Sequence, residues 1–126
     1  GSTANTWWIY NDEGTFTFIM QGTTVGSYQQ STVAAPSNSA WHHIAVVFNA
    51  STATGTTTIY IDGVAQSPST VTDTKDGTSN FAAEPLYVMA RNGSAGTFWT
   101  GYMDDVRIYG SALSAGQIGA VYANPE

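Results

Sequence analysis

Cysteine is absent from the 126 residues of this chain. Its absence excludes a disulfide framework, a thiolate zinc site and a cysteine nucleophile. Basic residues are almost as scarce, because Lys75, Arg91 and Arg107 are the only lysine or arginine side chains, and the formal net charge is -6. Since so few cations cannot neutralise a run of phosphates, we expect neither nucleic acid nor an anionic membrane surface as a partner.

Long apolar runs are missing as well. No stretch approaches the roughly 20 residues that cross a bilayer as a helix, so membrane insertion is not expected. Charged residues make up only 10% of the chain, whereas hydrophobic residues make up 42%. This composition predicts one folded domain over residues 3–126 with a surface of small polar side chains. It is typical of secreted β domains, and we therefore expect a secreted or cell-surface location.

The dominant sequence pattern is the alternation of period two that marks β-strands. Thr6–Tyr10 and Thr15–Met20 are predicted to pair as a hairpin around the turn residues 11–14. The further strands that we expect are Ser27–Val33, Trp41–Asn49, Thr56–Asp62, Leu86–Arg91 and Phe98–Tyr109. Asp62-Gly63 is a strong signal for a two-residue turn, and we assign it no chemistry.

Two further regions complete the predicted fold. The polar stretch 67–85 is long for a connection, so it is either functional or contains a short strand near Val71 or Phe81. One helix is expected to begin after Ser114, which forms a capping box with Gln117. Seven or eight short strands at regular spacing predict an all-β fold, an antiparallel two-sheet β-sandwich or jelly roll, with one short C-terminal helix.

Three segments of the chain carry a family resemblance. They are WHHIAVVF at 41–48, TTTIYIDGVAQ at 56–66, and LYVMARN at 86–92 followed by FWTGYMDDVRIYGSALSAGQI at 98–118. In order and spacing they resemble the laminin G-like domains of the concanavalin A-like lectin and glucanase superfamily. The resemblance runs from roughly Trp7 to Tyr122 and implies a concanavalin A-like jelly roll, although the fold alone does not define the function.

One feature of that family is not found in this sequence. Its domains usually begin with a Phe-Asp-Gly strand and an aromatic-Thr-x-x-x-Trp strand, and neither pattern occurs before Trp7. We expect a domain truncated at its N-terminus, whether as a trimmed variant, as a fragment, or with strands supplied by another chain. Exposed sheet edges invite pairing, so homodimer formation or strand exchange is predicted.

Two pairs of adjacent polar residues are candidate metal ligands. Neighbouring residues of a strand point to opposite faces, so His42 and His43 cannot readily share one metal. The simpler interpretation is a packed Trp41 beside one buried and one exposed histidine. The same alternation places Asp104 and Asp105 on opposite faces of the predicted strand. Asp105 shares its face with Arg107 and is therefore the easiest partner for that side chain. A structural hydrogen bond or ion pair is the simpler role for the pair, and the family resemblance implies calcium binding by Asp104 as the alternative.

Aromatic residues are the stronger functional lead. Exposed rings can stack on the flat faces of sugars, and polar neighbours can bind the hydroxyl groups. Trp99, Tyr102, Trp7 and Asn92 are therefore the predicted ligand-binding residues. The alternative is that most of these rings belong to the core or cover a sheet edge.

Catalysis is not expected. A retaining glycosidase needs two carboxylates about 5 Å apart on one face, whereas Asp104-Asp105 has the wrong parity and the glutamates lie in predicted loops or at the terminus. A Ser-His-Asp triad has no support from the sequence. The predicted function is a non-catalytic carbohydrate-binding or adhesion module for a glycan or surface polysaccharide. The alternatives are a structural or protein-interaction domain, such as a fibre spacer, and a degenerate glycosidase.

Overall fold

The computed structural model describes residues 6–12, 14–21, 28–37, 39–49, 56–67, 69–73 and 100–124. These residues form seven strands and one helix. The elements are β1 (Thr6–Asp12), β2 (Thr15–Gln21), β3 (Tyr28–Ala34), β4 (Ile44–Asn49), β5 (Thr56–Ile61), β6 (Val64–Ala65), β7 (Ser69–Asp73) and α1 (Ala115–Ala123). The strands make two antiparallel sheets, one in the order β1-β2-β3-β7 and one in the order β4-β5-β6.

The core lies between the two sheets, as the alternation of apolar residues requires. Phe16, Phe18 and Val33 of the four-stranded sheet form one buried cluster with Ile59 of β5. Half-buried apolar residues of both sheets pack against this cluster: Trp7, Ile9, Ala35, Ile44, Val46, Phe48 and Ile61. Burial of each large side chain stabilises the fold by about 1.5–3 kcal/mol, so this layer is what holds the sheets together.

Two phenylalanines connect the sheets directly. The ring centroids of Phe18 in β2 and Phe48 in β4 are 6.5 Å apart, with the ring planes tilted by 35°. That separation lies in the range of favourable aromatic pairs. The pair therefore contributes to the alignment of β4, which begins directly after His43.

Most of the local predictions are confirmed. The β1–β2 hairpin, β3 and the Asp62-Gly63 turn between β5 and β6 occur where the sequence places them. β7 confirms the short strand that was expected near Val71. Ser114 and Gln117 form the predicted capping box of α1. The strand predicted at Leu86–Arg91 and the one considered near Phe81 lie outside the described residues.

Two predicted strands require correction. The strand expected at Trp41–Asn49 begins only at Ile44, because β5 reaches its turn at Asp62 and leaves no residue to pair with Trp41 or His42. Trp41 is consequently 70% exposed rather than packed.

The strand expected at Phe98–Tyr109 is also wrong over the part that the structure describes. Residues 100–109 are not in a strand, and Asp105 has a φ of 51°, which interrupts any extended run. The alternation of faces that strands impose therefore does not apply to Asp104 and Asp105.

Candidate functional site

The predicted ligand-binding residues fall in different environments. Trp99 and Asn92 lie outside the described residues. Trp7 is half-buried against the core, and the antiparallel register places Trp8 on the opposite face of β1. Tyr102 is 91% exposed, the most exposed of the large apolar side chains in the described part of the chain. Of the two predicted residues that the structure describes, Tyr102 is the one whose ring is exposed.

The acidic pair near Tyr102 is tied into a local network. Asp104 Oδ1 accepts a hydrogen bond from the backbone N–H of Asp105 at 2.8 Å. Arg107 Nε donates to Asp105 Oδ1 at 2.6 Å, which confirms the predicted pairing of Arg107 with Asp105. Both contacts are local in sequence, so they order a short irregular segment, and Asp104 stays exposed to solvent.

Calcium binding by Asp104 stays a prediction. Calcium takes six to eight oxygen ligands, usually from several carboxylates and carbonyls. Within the described ranges, no group of three or more His, Cys, Asp or Glu residues could hold a metal ion. The neighbouring carboxylate of Asp105 is already paired with a guanidinium, which makes it a poor second ligand. The described surroundings of Asp104 therefore do not by themselves fit a calcium ion.

A second cluster is centred on the turn between β5 and β6. Asp62 and Gly63 both have positive φ angles, 51° and 77°, as a two-residue type I′ turn requires. The turn directs the Asp62 carboxylate toward the segment that precedes β4. There Asp62 Oδ1 accepts the backbone N–H of His43 at 2.9 Å, and Asp62 Oδ2 lies 2.8 Å from His42 Nδ1.

These contacts set the charge state of Asp62. Its pKa is lowered from the usual value, most of all by the hydrogen bond with His42. Burial acts next and in the opposite direction, and the backbone N–H of His43 and the charges of the two histidines lower the pKa further. Ionised Asp62 can only accept hydrogen bonds, so it suits two donors. The cluster is thus a carboxylate held by two donors at the rim of the three-stranded sheet.

The chain of polar contacts continues beyond the imidazole. His42 Nε2 lies 3.3 Å from the hydroxyl of Ser37, on the other side of the ring from Asp62. Ser37 is exposed, whereas His42 and Asp62 are partly shielded, with 21% and 33% of their side chains accessible. Ser37, His42 and Asp62 therefore form a linear series that runs from solvent to the turn. This series is called the Ser37–Asp62 relay below.

The C-terminal helix supports the same region. The ring of Tyr122 lies 5.8 Å from that of His43, and a Cβ on Gly63 would come within 3.0 Å of Tyr122 Cδ1. Ile118 of the helix is buried. The contacts of Tyr122 place the last turn of α1 beside the turn that carries Asp62, while Ser114 and Gln117 cap the other end of the helix.

Comparison with known proteins identifies the fold family. A family model for the concanavalin A-like lectin/glucanases superfamily matches residues 1–119. The chain belongs to this superfamily. No match was found among curated proteins or among solved structures. The two antiparallel sheets and the terminal helix are consistent with a concanavalin A-like sandwich.

Membership of the concanavalin A-like superfamily supports a lectin-like or adhesive module in general terms. The superfamily contains glucanases as well as lectins, so membership alone does not define the chemistry. In the described part of the chain, no helix is long and apolar enough to cross a membrane.

The sequence prediction missed the Ser37–Asp62 relay. The sequence pattern predicts only a turn at Asp62-Gly63 and places both histidines inside a strand. The usable signal was the hairpin register, because a turn after Ile61 brings Asp62 opposite His43 once Ile44 pairs with Ile61. The position of Ser37 gave no such signal, since it depends on the path of a loop.

Proposed function

We propose that this domain is a carbohydrate-binding module of a secreted or cell-surface protein and that it does not cleave glycosidic bonds. The observation that carries the proposal is the 91% exposure of Tyr102 in a domain of a lectin-containing superfamily. A large ring left in water gains little stability for its own fold. It can gain free energy by covering the apolar face of a sugar.

Polar groups near Tyr102 in the chain are suited to the hydroxyl groups of such a ligand. Asp104 has a carboxylate with one oxygen engaged locally, and a carboxylate oxygen can accept further hydrogen bonds from sugar hydroxyls. Trp99 and Asn92 stay predicted parts of this surface. An extracellular location is proposed with it, because laminin G-like domains are often extracellular.

The contacts of Asp104 and Asp105 support the proposal that the domain has no glycosidase chemistry. Glycosidases use two carboxylates that flank the scissile bond, one of which must donate a proton. Asp105 is committed to Arg107, and Asp104 accepts from the next backbone N–H. This arrangement supports a structural and binding role for the pair.

Titration calorimetry with a glycan selected from an array tests the proposal. Tyr102→Ala should weaken binding about fivefold or more, because a stacked ring contributes ~1 kcal/mol. Tyr102→Phe is the matched control and should bind like the wild type, since it retains the ring. Trp99→Ala and Asn92→Ala extend the test to the other predicted residues. Absence of binding to every glycan, with and without calcium, would contradict the proposal.

A protein-interaction role is the second candidate, favoured by exposed apolar side chains. Met103, Val106, Ile108 and Tyr109 are all exposed within one short segment. Contiguous apolar surface of this kind marks interaction sites when it exceeds a few hundred Å². A homodimer through this segment predicts a concentration-dependent mass in light scattering, which Ile108→Glu should abolish. A monomer at every concentration would exclude the homodimer.

A further inference from the structure

We propose that Ser37, His42 and Asp62 form a nucleophile, base and carboxylate that together hydrolyse small carboxylic esters. Ser37 and His42 lie in the segment before β4, and Asp62 is the first residue of the β5–β6 turn. Their side chains are joined in series by contacts of 3.3 Å and 2.8 Å. This order of groups has no part in sugar binding at Tyr102, so the two proposals stand independently.

The geometry satisfies the requirements of an activated serine. A nucleophile, a base within hydrogen-bond reach and a third group that orients the base are the defining features of such sites. The contact between His42 and Asp62 is short, and the contact between Ser37 and His42 is longer. A longer contact between nucleophile and base is common before substrate binds.

The contacts also assign the tautomer of His42. The Asp62 carboxylate is an acceptor, so the proton of the neutral imidazole lies on Nδ1, which donates to Asp62 Oδ2. His42 Nε2 is then a lone-pair acceptor, and the atom within its reach is the Ser37 hydroxyl oxygen. The His43 N–H bond to Asp62 Oδ1 prevents the carboxylate from rotating away. Ser37 and His42 are catalytic residues, and Asp62 is a positioning residue.

The reaction needs water as its only co-reactant. Ser37 Oγ attacks the ester carbonyl carbon, and its proton passes to His42 Nε2. The tetrahedral intermediate then expels the alkoxy group, which leaves as an alcohol with that proton. Water attacks the acyl-Ser37 by the same route and releases the carboxylic acid and the free serine. One ester and one water therefore give one acid and one alcohol.

The surroundings indicate the substrate class. The Ser37 hydroxyl is exposed, so an ester can reach it without passing through a deep pocket. Trp41 directly precedes His42 and is 70% exposed, which offers a flat apolar surface beside the relay. An open site with an aromatic neighbour suits short acyl esters of aromatic or sugar alcohols rather than long-chain lipids.

Covalent labelling is the first test. A fluorophosphonate probe should modify the wild-type domain, and peptide mapping should place the adduct on Ser37. Ser39→Ala is the matched control, because Ser39 is an exposed serine of the same segment, and this variant should label like the wild type. Ser37→Ala should not label, although it retains the contact between His42 and Asp62. A wild-type domain without an adduct on Ser37 would overturn the proposal.

Hydrolysis of p-nitrophenyl acetate is the second test. Ser37→Ala should lower the rate above buffer by about tenfold or more, as expected for loss of an activated nucleophile. Equal rates for Ser37→Ala and Ser39→Ala would show that a surface histidine alone is responsible and would overturn the proposal.

Asp62→Asn distinguishes a role of Asp62 in orienting His42 from a purely structural role. Asparagine tolerates positive φ, so the turn is retained. Its amide oxygen must accept the His43 N–H, so its amide nitrogen faces His42 Nδ1 and places the imidazole proton on Nε2. Labelling of Ser37 should then be lost while the circular dichroism spectrum is unchanged. Labelling at the wild-type rate in this variant would overturn the role assigned to Asp62.

Discussion

His43 and Asp62 hold each other by two hydrogen bonds. The backbone N–H of Asp62 donates to the His43 carbonyl at 2.9 Å, and the backbone N–H of His43 donates to Asp62 Oδ1 at 2.9 Å. The first bond extends the β4–β5 ladder by one pair, and the second uses a side chain where the ladder ends. The turn at Asp62-Gly63 is therefore fastened to the start of β4.

Removal of the Asp62 carboxylate is expected to destabilise the domain. Asp62→Gly keeps the positive φ and loses both side-chain bonds, so it should lower the free energy of unfolding by about 1 kcal/mol, since partial exposure screens the interaction. Asp62→Ala should cost more, because alanine also strains the backbone at a φ of 51°. Urea denaturation of both variants measures the two effects. Equal stability of Asp62→Gly and the wild type would show that the carboxylate has no structural role.

The stabilisation from Asp62 should depend on pH in one direction. Its pKa is lowered by folding, so its contribution is fully present above the unfolded value of 3.8 and is lost as the pH falls through the folded pKa. The difference in unfolding free energy between the wild type and Asp62→Asn should therefore be present at about pH 5 and shrink below the unfolded value. A difference that stays constant down to about pH 2 would contradict this assignment.

Gly63 is a position where any side chain is expected to destabilise the domain. Its φ of 77° strains other residues, and a Cβ would meet Tyr122 at 3.0 Å. Gly63→Ala should lower the free energy of unfolding by about 1–3 kcal/mol. A double-mutant cycle with Tyr122→Ala separates the causes, because that change relieves the clash and leaves the backbone strain. Gly110→Ala is the control, since a Cβ there meets no atom within 4 Å.

Trp7 is expected to contribute mainly to the stability of the fold. Its ring packs against the core cluster, so Trp7→Ala should lower the free energy of unfolding by about 3 kcal/mol. Trp8→Ala, on the opposite face of the same strand, is the comparison and should cost less. Chemical denaturation gives both values. A Trp7→Ala domain of wild-type stability that has lost glycan binding would instead support the ligand role predicted from the sequence.

Much of the fold followed from local pattern. Alternation defined the β1–β2 hairpin, Asp-Gly defined a two-residue turn, and Ser114 with Gln117 defined the start of the helix. Each of these depends on residues close together in the chain, where backbone sterics and capping bonds act. The pairing of Arg107 with Asp105 was also predictable, because only Val106 separates the two residues in sequence.

The candidate sites were less accessible to sequence reasoning. The sequence pattern makes Asp104 and Asp105 neighbours in a strand, whereas the structure has no strand there and Asp105 has a positive φ that interrupts an extended backbone. It treated His42 and His43 as strand residues, whereas β4 begins after them. The alternation of faces applies to a residue only if a neighbouring strand pairs with it. The length of that neighbouring strand depends on residues elsewhere in the chain.

The sequence by itself determined the sandwich of two sheets, the hairpin turns, the capped helix and the scarcity of positive charge, because composition, alternation and turn chemistry are local properties. Only the tertiary structure decided that Asp62 lies between His42 and His43, that Ser37 is within reach of the imidazole, and that Trp7 packs inward. The polar contacts of Asp62 and His42 join residues 5 to 20 positions apart, and their geometry depends on how one strand ends against another and how the connecting loop returns.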